Sequence, residues 1–229
     1  PSPYGDYGGR FLRWLKEDDP QPYNSWGNGS AMRVSAIGWL YNSVEEVLCQ
    51  AKLSAEISHS HPEGVKGAQA IAGAIFLART GQPKEAIKRW IEIEFGYNLN
   101  NTVANLQQTY ANGNFDYESC QDSVPQAILC FLESSDFESA IRLAISIGGD
   151  SDTIACMTGG IAEAFYKQVD KSVLNGIWDR IPLDMMLVID EFIEKTKIKI
   201  DYRTTLRYKR QRWYRKIIAT VTVIALSVW

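Results

Sequence analysis

The stretch from Glu63 to Arg79 constrains the fold most. It is rich in Ala, Ile and Leu and long enough for several helical turns. Its small residues Gly67, Ala70, Gly73 and Ala74 would let another helix approach closely. The segments around it share the helical period. Residues 43–58 place Val44, Val47, Leu48, Ala51 and Ala55 at three- and four-residue spacings behind a Ser-x-x-Glu capping box. Pro83 opens a third helix. Residues 124–133 and 137–147 form a pair joined by the turn Ser134-Ser135-Asp136, and residues 153–167 and 183–198 continue the series. Alternating strand patterns are short, so the chain is expected to be all-α.

Composition narrows the function. Four cysteines (Cys49, Cys120, Cys130, Cys156) carry no CxxC spacing and there are only two histidines, which excludes a zinc ribbon or disulfide scaffold and fits a reducing, cytoplasmic setting. The net charge of −3 argues against a nucleic-acid binder. That charge is unevenly spread. From Lys195 to Trp229 there are ten basic residues and one acid, a balance of +9, against 14 basic and 26 acidic residues elsewhere, a balance of −12. Residues 201–229 therefore read as a tail distinct from a domain spanning residues 1–200. Within it, a cationic and aromatic cluster at 209–216 precedes thirteen mostly apolar residues. A helix of that length covers about 20 Å, short of the roughly 30 Å hydrocarbon core. Membrane association through 209–229, a final helix packed on the body and the product of a shifted reading frame all stay open.

Three polar, glycine- or proline-punctuated loops lead into apolar helices, which is where chemistry usually sits on a rigid scaffold. In the loop at 148–153, Gly-Gly-Asp-Ser-Asp-Thr, two carboxylates two positions apart cannot share a helix face. They converge only on an irregular backbone, which Gly148 and Gly149 permit. Asp150, Asp152 and the Thr153 hydroxyl would then offer hard oxygens suited to magnesium or manganese. The competing reading is a plain helix cap. The loop Gly27-Asn28-Gly29-Ser30 reads either as a backbone cradle for a phosphate, with the following helix N-terminus favouring the anion, or as a turn with an N-cap. Arg33 would reach the phosphate or pair with an acid. His61, before Pro62, is either a ligand contact or a helix-terminal residue, and His59 has less to recommend it. Tyr23, Trp26 and Tyr117 are candidates for stacking on an adenine ring, or for the core.

In this order, GNGSAMRVSAIG (27–38), SHSHPEGVKGAQAIAGAIFLA (58–78), the run 123–166 containing GGDSDT, and Ile181-Pro182 resemble the ADP-ribosylglycohydrolase family. The resemblance covers residues 4–194. It implies a multi-helix orthogonal bundle carrying two Mg2+ (or Mn2+) ions that grip the ribose. Asp150, Asp152 and Thr153 would be the downstream half of the metal site, and Gly27, Asn28, Gly29, Ser30, Arg33 and His61 would line the ADP-ribose site. The implied reaction is hydrolysis at the anomeric carbon of an ADP-ribosylated protein, or of a related N-ribosyl compound. The Gly-Asp helix and Thr-Asp-Asp motif that supply the other ligands are missing. On this reading the bundle is incomplete at its N-terminus and the catalytic carboxylate lies in an upstream segment outside this chain. The rival function is a non-catalytic ADP-ribose-binding or scaffold remnant.

Overall fold

A computed structural model describes residues 8–113, 118–178 and 180–196. Tyr117 and the tail at 201–229, including its basic and apolar stretch, lie outside the described residues. The chain divides into two compact units, one ending at Gln168 and one beginning at Val169. The described residues hold helices, with one isolated antiparallel bridge between Gly27 and Ser119. No helix among them is long and apolar enough to cross a membrane.

The first unit contains α1 (Gly9–Trp14), α2 (Gly29–Met32), α3 (Ser35–Leu40), α4 (Val44–Glu56), α5 (Pro62–Arg79), α6 (Lys84–Phe95), α7 (Val103–Ala111), α8 (Cys120–Glu133), α9 (Phe137–Ile147) and α10 (Ser151–Tyr166). At its centre α5 packs against α2, α3, α4, α6, α8 and α10. Pro62 starts it at a position where its missing N–H costs nothing. Arg79 ends it, donating to the carbonyls of Gly38 and Tyr41 and so fastening α3 to the helix end. Ile71 and Ile75 are fully buried on α5, each contributing about 1.5–3 kcal/mol of hydrophobic stabilisation.

The small residues of α5 act as expected. A Cβ on Gly67 would lie 2.5 Å from the Cys120 Sγ of α8, and one on Gly73 would lie 2.4 Å from the Trp90 ring of α6. Close approach on two sides is therefore written into the glycines.

Most predicted boundaries agree with the structure, and the differences have local causes. α8 begins at Cys120, four residues before the Val124 start read from the sequence, because Ser119 caps it by accepting from the Asp122 N–H. Pro125 then sits inside the helix. Pro83 is the N-cap of α6 and not its first helical residue. The helix after the glycine loop is one turn, α2, broken at Arg33 and Val34 before α3 resumes. α7 was not visible in the sequence, where its polar face (Asn105, Gln107, Gln108) dilutes the apolar period, yet Val103, Leu106 and Tyr110 are buried.

The second unit contains α11 (Lys171–Trp178) and α12 (Leu183–Thr196). Leu174 and Met186 are buried there, with Val169, Ile181 and Ile189 packed against them. The side chain of Asp170 accepts from the N–H and hydroxyl of Ser172 at the start of α11.

Candidate functional site

The glycine loop gathers the site. Its backbone is clamped to α8 by two bonds, Asn28 N–H to the Glu118 carbonyl at 2.7 Å and Cys120 N–H to the Trp26 carbonyl at 3.0 Å. Ser30 is buried and its hydroxyl donates to the Gly64 carbonyl in the first turn of α5 at 2.7 Å. The Asn28 side chain, only 7% exposed, donates from Nδ2 to Asp150 Oδ2 at the start of α10, 2.7 Å away. One loop thus touches the N-termini of α5, α8 and α10. Three positive helix ends around one loop favour an anionic or oxygen-rich ligand there.

The two carboxylates are displayed by an irregular backbone. Gly148 has φ +89° and Gly149 φ +62°, conformations that a side chain would strain. This breaks the chain between α9 and α10 and leaves Asp150 at the N-cap position. Asp150 makes no capping bond with its side chain; the carboxylate faces Asn28 instead. Asp152 Oδ1 accepts from the Thr153 N–H at 3.0 Å, and Thr153 Oγ1, largely buried, lies 3.7 Å from Met32 Sδ. Asp150 and Thr153 are thereby each tied to the α2 segment.

Two carboxylates and a hydroxyl are too few oxygens for an octahedral cation. Among the described residues no three His, Cys, Asp or Glu side chains converge on a common point. The described residues therefore do not complete a magnesium site by themselves.

The other predicted residues separate. His61 caps α5, its Nδ1 accepting from the Glu63 N–H at 3.1 Å, and its ring meets Trp26 edge-on at 5.8 Å. Trp26 is 43% exposed and so remains available to a planar ligand. Arg10 lies over both Tyr23 and Trp26. Arg33 does not point into the loop. Its guanidinium donates to the Ser54 carbonyl at 2.5 Å and to Ser58 Oγ at 3.2 Å, covering the C-terminal turn of α4. The residue that does lie under the loop is His59, which sequence reasoning set aside. Cβ atoms on Gly27 and Gly29 would sit 3.6 and 3.3 Å from its Nε2. Burial, then Arg33 and Arg10, push its pKa down to about 4, so it is neutral near pH 7. The signal that could have found it is the pair of glycines spaced to admit a ring.

A family profile described as ADP-ribosylglycohydrolase matches residues 4–199. The chain belongs to the ADP-ribosylglycohydrolase family. It is similar to ADP-ribosylhydrolase ARH3 of Mus musculus, 33% identical over 195 residues (65% of this chain, 52% of the relative). The Homo sapiens ARH3 is 32% identical over 187 residues (62% and 50%). A protein of Archaeoglobus fulgidus is 29% identical over 185 residues (75% and 57%). The chain thus spans about half the length of the ARH3 proteins. Among solved structures, one titled "ADP-ribosylglycohydrolase-related protein complex" superposes with a TM-score of 0.55 at 22% identity, covering 72% of this chain and 60% of that one. That likeness supports the family's all-α fold.

Proposed function

We propose that this chain binds ADP-ribose at the glycine loop and serves hydrolysis of the ribosyl bond in an ADP-ribosylated protein or a related N-ribosyl compound. The observation that carries this reading is the 2.7 Å bond from Asn28 to Asp150, which joins two family segments 122 positions apart into one site. Family membership supplies the reaction class. The three helix N-termini at the loop suit the pyrophosphate, and the partly exposed Trp26 suits the adenine. Asp150, Asp152 and Thr153 present oxygens to one side of a magnesium or manganese ion, and the remaining ligands come from beyond the described residues. The four unpaired thiols suit a reducing, cytoplasmic compartment.

Calorimetric titration of the purified chain with ADP-ribose, with and without magnesium, tests the reading alongside release of ADP-ribose from a modified protein. Binding is expected, weakened by about tenfold in Asn28→Ala and in Asp150→Ala, as loss of a charge-assisted hydrogen bond requires. Binding without release favours the non-catalytic reading. No binding at millimolar ADP-ribose rejects the proposal.

A further inference from the structure

The hydrogen bonds around His59 form a one-way chain. Arg33 only donates, and two of its N–H groups reach Ser58 Oγ, each at 3.2 Å. Ser58 Oγ in turn lies 2.7 Å from His59 Nδ1. A hydroxyl oxygen has two acceptor sites and one proton. With both acceptor sites taken by the guanidinium, the remaining capacity of Ser58 is its proton. Were His59 protonated on Nδ1, three donors would crowd one oxygen. Tyr23, whose ring lies 6.1 Å from that of His59, competes for the Ser58 proton but frees no acceptor site on Ser58 Oγ, so a protonated Nδ1 would still face a filled oxygen. Nδ1 therefore carries no proton and can only accept, so the ring proton resides on Nε2.

We propose that Arg33 and Ser58 are positioning residues that hold His59 as a neutral imidazole protonated on Nε2, presenting a fixed N–H donor beneath Gly27 and Gly29. Nε2 has no acceptor among the described residues, although His59 is only 7% exposed. The charged groups around the ring, Arg33 and Arg10, are both cationic, which opposes a second proton. Neutrality matters for the loop: the donor keeps one strength across the physiological range instead of switching with pH. The inference also explains why Arg33 turns away from the loop. It acts on the site through Ser58, and an Arg is needed because its fork supplies several donors at once. That the donor serves an ADP-ribose site rests on the function proposed above; the tautomer does not.

The experiment is long-range 1H–15N correlation on the full 15N-labelled chain, whose two histidines are separated by the variant His61→Gln. The expected spectrum of His59 has a bare, pyridine-type Nδ1 and a protonated, pyrrole-type Nε2, unchanged from pH 8 to pH 5.5. Ser58→Ala should shift both nitrogens towards the average of mixed tautomers, and Ser58→Thr, which keeps the hydroxyl, should restore them. Arg33→Gln should move His59 towards the Nδ1–H form. A protonated Nδ1 at His59 in the unaltered protein overturns the proposal, and this measurement needs only the His61→Gln variant for assignment. A His59 spectrum indifferent to Ser58→Ala in a folded chain overturns it as well. ADP-ribose titration separates the two claims: Ser58→Ala should weaken binding about three- to tenfold, with recovery in Ser58→Thr. If the tautomer is as stated but ADP-ribose does not bind the unaltered chain, the proposed function fails and the relay stands.

Discussion

Substituting Gly67 by Ala tests the contact on which the glycine loop is mounted. The new Cβ would meet Cys120 Sγ at 2.5 Å, Cys120 Cβ at 2.8 Å and Val124 Cγ2 at 3.2 Å. The first two are closer than atoms tolerate, and Cys120 Cβ is fixed to the α8 backbone, so the helices must separate. Overpacking of this kind costs about 1–3 kcal/mol. Alanine returns up to about 1 kcal/mol through helix propensity, leaving a net loss of about 1–2 kcal/mol. Urea unfolding followed by circular dichroism should show the midpoint falling by roughly 0.5–1 M, with m of about 1–3 kcal/mol/M. Gly176→Ala is the control: there the added Cβ meets nothing closer than an Arg180 nitrogen at 3.5 Å, and no loss is expected. Adding Cys120→Ala to Gly67→Ala removes the worse contact, with a coupling of about 1 kcal/mol expected. The consequence reaches the site because Cys120 holds the loop by its N–H to Trp26 and its Sγ to the Gly27 carbonyl at 3.2 Å. ADP-ribose affinity should fall with stability. If Gly67→Ala instead stabilises the chain, α5 and α8 are not in contact there and the account of the loop's mounting is wrong.

Two further outcomes follow from buried titratable groups. His59 has a folded pKa near 4 against 6.5 unfolded, so the unfolded chain binds more protons between those values and stability declines as pH falls from about 6.5 to 4. The slope is at most about 1.4 kcal/mol per pH unit; urea midpoints at pH 7 and 4.5 should show a smaller decline in His59→Gln, and equal declines would contradict the burial. Burial raises the Cys120 thiol to about 11 and the Cys130 thiol to about 12, while Cys49 and Cys156 are exposed. A thiol reagent should label those two in the native chain and all four in denaturant, with Cys156 slowed because burial of its thiol and Asp152 raise its pKa; rapid native labelling of Cys120 would contradict the α5–α8 packing.

Local interactions were legible in the residue order. The Ser43 cap of α4, the Ser-Ser-Asp turn capping α9 and the double glycine before α10 all involve partners within a turn or two, so residue order alone determines them. The family segments were legible for the same reason, being short continuous strings. What the residue order leaves undecided is which way a polar side chain turns once distant helices meet. Asp150 was open between cap and ligand until packing brought Asn28 across 122 positions to claim its carboxylate. Arg33 was open between phosphate and acid, and the C-terminal turn of α4 took it. His59 looked unremarkable beside His61, yet the glycines of a loop thirty positions earlier close over it. A hydrogen bond made inside a turn is dictated by sequence spacing. One made between helices exists only after the small residues of α5 have let those helices approach.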